Sequence, residues 1–117
     1  MAHMLGAMPS SHHYLAMSKD LFNMQTYQLF CGRDIPSGGY VTRGAFKAFT
    51  QEHVDPLFDG YTVSDVQGVW KGTPEETKCI SICTDREDDV LKVAQAYKQL
   101  FKQDSVAIQL LAPMTFV

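Results

Sequence analysis

Apolar and polar residues alternate singly in four stretches of the chain and recur every three or four residues in two others. Over Met24–Cys31, Tyr27, Leu29 and Cys31 alternate with Thr26, Gln28 and Phe30, which predicts a strand. Gly32–Gly39 is a loop by composition. Thr42 suits a helix cap, and Ala45, Phe46, Phe49 and His53 share one helical face. A helix is therefore predicted to about His53, with Pro56 just beyond its end. Asp59-Gly60 marks a turn. Tyr61–Trp70 reads as a strand in which Val63 takes one phase and Val66 and Trp70 the other, with Gly68 inside the run; a β-bulge between Val63 and Val66 would reconcile them. Lys71–Pro74 is a turn.

Glu75–Cys83 is the next strand, with Lys78, Ile80 and Ile82 on one side and Thr77, Cys79, Ser81 and Cys83 on the other. Thr84-Asp-Arg-Glu87 matches a capping box, and Asp88 and Asp89 add charge that the helix dipole favours. Val90, Val93, Ala94, Tyr97, Leu100 and Phe101 then make an apolar stripe. Ser105–Leu111 closes the series as a strand with Val106, Ile108 and Leu110 in phase, ended by Pro113.

The order predicts an α+β, ferredoxin-like βαββαβ fold: a four-stranded antiparallel sheet with two helices on one face. Residues 24–112 form this single domain. Residues 1–23 are an extension, with Met1-Ala-His-Met4 a cloning remnant and Ser18–Phe22 a short helical turn, and 113–117 are a tail. The uncovered face would carry Gln28, Phe30, Cys79, Ser81, Ala107, Gln109 and one phase of Val66–Trp70. That mixture suits a lined pocket or an interface better than free water.

Charge and cysteine usage narrow the classes. A formal net charge of -3 without a basic stripe argues against nucleic acid. No apolar run is long enough to span a membrane, and no signal-peptide pattern is visible, so a cytoplasmic location is expected. Cys31, Cys79 and Cys83 are then expected as free thiols. Cys79 and Cys83, four residues apart on one strand, lie roughly 13 Å from each other, beyond disulfide reach. No metal-ligand spacing stands out, His12-His13 included.

The candidate chemistry is sparse. Gly32–Gly39 lacks both the phosphate-loop and dinucleotide patterns. Arg33, just past a strand end, could hold a carboxylate or phosphate with its planar fork, or form a structural pair with Asp34, Asp59 or Asp65. His53 could shuttle protons, with Asp55, Asp59 and Asp65 grouped near it, or simply bond a carbonyl. Tyr61 and Trp70 could stack on a flat ligand or fill the core. The candidate ligand-binding set is Arg33, Phe30, Gln28, His53, Tyr61, Trp70 and Ser81. No nucleophile–base–orienter set and no cofactor pattern emerges.

The reading that follows is a homodimer or higher oligomer that binds a small, partly apolar molecule at the open sheet face. An enzyme using a pocket between paired sheets and an assembly protein without ligand are the alternatives.

Several segments carry a family likeness: Phe30-Cys-Gly-Arg-Asp-Ile-Pro36, Val54-Asp-Pro-Leu-Phe-Asp-Gly-Tyr-Thr62, Gly68-Val-Trp70, Glu76 with Lys78, and Tyr97 followed by Phe101-Lys-Gln-Asp-Ser-Val106. Through them the span from Leu29 to about Gln109 resembles a bacterial family known as domain of unknown function 3574. Members often carry an export or lipid-anchor signal, absent here, and a tryptophan where this chain has Phe46. The resemblance implies a fold and no reaction.

Overall fold

Tyr27, Leu29 and Cys31 leave β1 (Gln25–Gly32) on one side and are buried. Opposite them on β3 (Thr73–Thr84) stand Ile82, Ile80 and Lys78, in antiparallel register. β2 (Thr62–Trp70) pairs with the outer edge of β3, and β4 (Ala107–Leu110) with the outer edge of β1. The antiparallel sheet therefore runs β2-β3-β1-β4. This computed structural model describes residues 24–112 and Val117, with Trp70 described through its backbone alone. The expectations for 1–23 and for 113–116 lie outside the described residues.

Two helical segments supply the other half of the core. α1 (Arg43–Phe49) opens on Thr42, whose Oγ1 accepts from the Ala45 amide at 3.0 Å, as a helix cap should. Past Phe49 the helix widens into a π turn, Thr50–Val54, in which the Asp55 amide donates to the Thr50 carbonyl at 2.8 Å. Phe46, Phe49, Val54 and Phe58 are buried from this segment. α2 (Glu87–Leu100) contributes Val90, Val93, Ala94 and Tyr97. All of them join Tyr27, Leu29, Cys31, Ile80 and Ile82 in one apolar cluster, so both helical segments cover the same sheet face. Each such side chain stabilises by roughly 1.5–3 kcal/mol on full burial, and this cluster is the main favourable term.

Four expectations change. β2 has no bulge: its register with β3 runs unbroken from Thr62↔Ser81 to Trp70↔Thr73. Val63 and Val69 simply point to the helix side and Val66 to the other, all three exposed because β2 is an edge strand. Its hairpin closes through Lys71 and Gly72, at φ 49° and 77°, the two left-handed positions of a type I′ turn. The capping box at α2 does not form. Thr84 Oγ1 accepts from the Arg86 amide at 3.1 Å instead, and α2 starts after Arg86. Leu100 is 54% exposed, so the stripe ends with Tyr97 and half-buried Phe101. There the chain leaves the helix: Lys102 is left-handed at φ 51°, and the Gln103 amide reaches the Lys98 carbonyl at 2.9 Å, a Schellman closure. β4 is shorter than expected and leaves Val106 outside it, half-buried against the cluster.

Cys31, Cys79 and Cys83 are free and buried. Among the described residues no helix is long and apolar enough to cross a membrane.

Candidate functional site

The alternation of β1 continues past Gly32 and places Arg33 on the helix side of the sheet. Its amide donates to the Glu76 carbonyl at 3.0 Å, and its carbonyl accepts from Val41 at 2.7 Å. The residue is only 6% exposed. Nε donates to the Val41 carbonyl at 3.0 Å, and Nη1 lies 3.5 Å from Glu76 Oε2. The guanidinium lies 4.4 Å from the centre of the Tyr40 ring, within cation–π range. Tyr40 in turn donates its hydroxyl to Glu76 Oε2, and that bond to a carboxylate raises the phenol's pKa. Three side chains from three segments thus hold one another.

A second polar pair lies one step along the same sheet face. Lys78 stands opposite Asp65 and reaches it at 2.6 Å, while its ammonium lies 5.5 Å from the Phe46 ring centre. The hydrogen bond from Lys78 holds the Asp65 carboxyl below its usual range. A cleft of about 270 Å³ lies beside these groups, lined by Arg33, Arg43, Asp65, Gln67 and Glu76 among others. Behind it, the Tyr97 hydroxyl donates to the Gly32 carbonyl at 2.6 Å and fixes the end of β1. Burial raises the pKa of Tyr97, and pushes the Cys31 thiol up to about 12, with the neighbouring Cys79 adding to it.

The residues singled out from sequence fall into two groups on opposite sides of the sheet. Gln28, Phe30 and Ser81 share the open face. Gln28 Nε2 lies 3.3 Å from Ser81 Oγ, and Phe30 stands opposite Cys79. Arg33, His53 and Tyr61 belong to the helix side. The ion-pair partner of Arg33 is Glu76, not Asp34, Asp59 or Asp65. The β1–β3 register brings Glu76 alongside, and Asp65 is already held by Lys78.

His53 is half-buried and stacks on Phe49 at 5.2 Å; its Nε2 is 4.0 Å from Glu52. Tyr61 donates to Asp55 Oδ1 at 2.5 Å, and its pKa is raised by burial first and by this bond second. Asp55 and Asp65 therefore serve other partners and do not gather around His53. Among the described residues no group of three His, Cys, Asp or Glu side chains converges as a metal site would require. The stacking role considered for the Trp70 side chain lies outside the described residues.

Sequence reasoning missed Tyr40, Arg43 and Thr26. The first two line the helix-side cluster and its cleft. Thr26 lies opposite Cys83 on the sheet face away from the helices, where both are buried, and its Oγ1 has no hydrogen-bond partner among the described residues. The available signal for the cluster was the phase of β3: Glu76 and Lys78 continue the buried alternation of Ile80 and Ile82, where a charge needs a partner.

Among solved structures the chain is similar to a phage SAM lyase in complex with S-methyl-5′-thioadenosine. The TM-score is 0.59 at 16% identity, over 76% of this chain and 81% of that one. At that identity the likeness is one of fold. No curated protein matches the chain. A family model described as "Protein of unknown function (DUF3574)" matches residues 26–112, from the start of the first strand past the end of the last, and the chain belongs to that family.

Proposed function

We propose that this protein is a ferredoxin-like binding module that pairs with a second copy through its open sheet face and holds a small, partly apolar molecule between the two sheets. The observation that carries the reading is the polar contact of Gln28 with Ser81 at 3.3 Å, beside half-buried Phe30, on a sheet face that neither described helix covers. Gln28 and Ser81 offer polar groups to a ligand or a second sheet there, and Phe30 offers a ring. Two such sheets would face each other about 10 Å apart, and a flat molecule would occupy a residual cavity where their side chains do not interdigitate. The ligand named for the fold neighbour, S-methyl-5′-thioadenosine, is of that kind: an aromatic base with a methylthio group.

Light scattering tests the pairing at about 50 μM, where a micromolar dimer is largely assembled. The wild type should be a dimer or larger. Ser81→Asp should dissociate it, because like charges then meet across a two-fold contact. A monomeric wild type, or a Ser81→Asp oligomer of unchanged affinity, overturns the pairing. Calorimetry with S-methyl-5′-thioadenosine as the probe tests uptake. Heat of binding that Ser81→Asp removes supports the module; a dimer that takes up no such probe is an assembly protein instead.

A further inference from the structure

The cleft beside Arg33 lies at the β2 edge of the sheet, lined chiefly by helix-side residues together with Val66 and Thr77, and has its own chemistry. We propose that it binds a small monoanionic carboxylate, gripped between Arg33 and Arg43. The reading rests on three features.

The first is preorganisation. Arg33 is buried and fixed by the Val41 carbonyl, by the Tyr40 ring and, at a long 3.5 Å, by Glu76. A guanidinium carries five N–H donors, and among the described residues only Nε and Nη1 find acceptors. Nη2 is left to bond a ligand, and a side chain already held in place loses little freedom on binding.

The second is the surplus of charge. Arg43 also lines the cleft and has no ion-pair partner within 4 Å among the described residues. The charged residues lining the cleft balance, Arg33 and Arg43 against Asp65 and Glu76, but Lys78, outside the lining, already neutralises Asp65 at 2.6 Å, which leaves one positive charge in excess.

The third is what the acids exclude. Asp65 and Glu76 line the same cleft and repel a dianion more strongly than a monoanion. A planar carboxylate also matches the planar fork of arginine. A single carboxylate is therefore favoured over a phosphate, and about 270 Å³ accommodates one of a few carbon atoms. Gln67 offers an amide to a hydroxyl or carbonyl on the same molecule.

The test is a titration of the full ¹⁵N-labelled chain with sodium acetate, sodium phosphate and sodium chloride, observed at the arginine Nε–Hε signals. Acetate should move the Arg33 signal to saturation, whereas chloride should produce only the gradual drift of ionic strength. Arg43 is exposed, so Arg43→Ala should leave the fold intact and weaken acetate by about tenfold, the loss of one charge-assisted contact. Glu76→Gln should tighten acetate, since it removes the internal competitor for Arg33. Acetate shifts no different from those with chloride, affinity unchanged in Arg43→Ala, or weaker binding in Glu76→Gln would each overturn the site. Phosphate bound more tightly than acetate would overturn the choice of a monoanion.

Discussion

Removing one hydroxyl, that of Tyr97, separates two contributions that meet at the centre of the molecule. Tyr97 is fully buried. Its ring meets Phe49 edge-on at 5.1 Å, Phe101 at 4.8 Å and Phe46 at 6.3 Å. Its hydroxyl closes the 2.6 Å bond to the Gly32 carbonyl. Tyr97→Phe keeps the ring and deletes the donor. The bond itself is worth about 1 kcal/mol, and an orphaned carbonyl adds a desolvation cost; in this partly buried setting the sum should be about 1–2 kcal/mol. Tyr97→Ala also empties the ring's place and should cost about 3–5 kcal/mol. Equilibrium urea unfolding followed by far-UV circular dichroism reads both, with m unchanged if the native state stays compact. The reasoning fails if Tyr97→Phe lies within about 0.5 kcal/mol of wild type, below the net worth of an ordinary hydrogen bond. It fails equally if the two variants cost the same, because the ring would then contribute nothing.

Three further outcomes can be checked by the same unfolding assay. Leu100→Ala should cost less than about 1 kcal/mol because Leu100 is 54% exposed, whereas Val93→Ala, at a fully buried site, should cost about 2 kcal/mol; the reverse order would contradict the packing of α2. Lys102→Gly should raise stability by about 0.5–1 kcal/mol, since the Schellman position is left-handed and glycine occupies it without a Cβ penalty; a loss would show that the side chain matters more than the backbone.

Stability should also fall at both ends of the pH scale. The Cys31 thiol is raised from 9.0 to about 12, so the native state keeps a proton that the unfolded chain releases; that contribution is complete below pH 9.0 and shrinks as pH climbs towards 12. Tyr97, also raised, acts in the same direction at higher pH. Asp65 has the opposite sign: its carboxyl is lowered from 3.8 by Lys78, so its contribution is present above that value and disappears as pH falls below it. Cys31→Ala should flatten the decline above pH 9.0, and an alkaline limb equally steep in that variant would exclude the thiol as a cause.

The chain announces its fold where burial is one-sided and hides it elsewhere. β1 and β3 have one packed face, so a slip of one residue would turn Leu29 and Ile80 to the wrong side, and their alternation is unambiguous. β2 is exposed on both faces, so Val63, Val66 and Val69 carry no phase information, and a bulge looked necessary where none exists. A period of 3.6 selected Phe46, Phe49 and His53 but passed over Val54 and Phe58, because the π turn breaks that period. The polar cluster could not be read at all without the sheet register. Arg33 and Glu76 are 43 positions apart and meet only because Cys31 faces Lys78 two steps earlier.

The π turn has a consequence for chain length. An ordinary helical turn closes on the fourth residue and this one on the fifth, so Thr50–Val54 contains one residue more than an α-helix would need there. Phe46 and Phe49 set the apolar phase before the extra residue, and Val54 and Phe58 set it afterwards. The segment therefore behaves as an insertion whose effect on phase has been absorbed into the core. Removing a single residue here, such as exposed Gln51, would restore a regular helix and leave everything downstream in nearly the same phase, because the π turn spends one extra residue on the same rotation. A relative one residue shorter at this point can keep the same interior only if its valine and phenylalanine have moved with the gap.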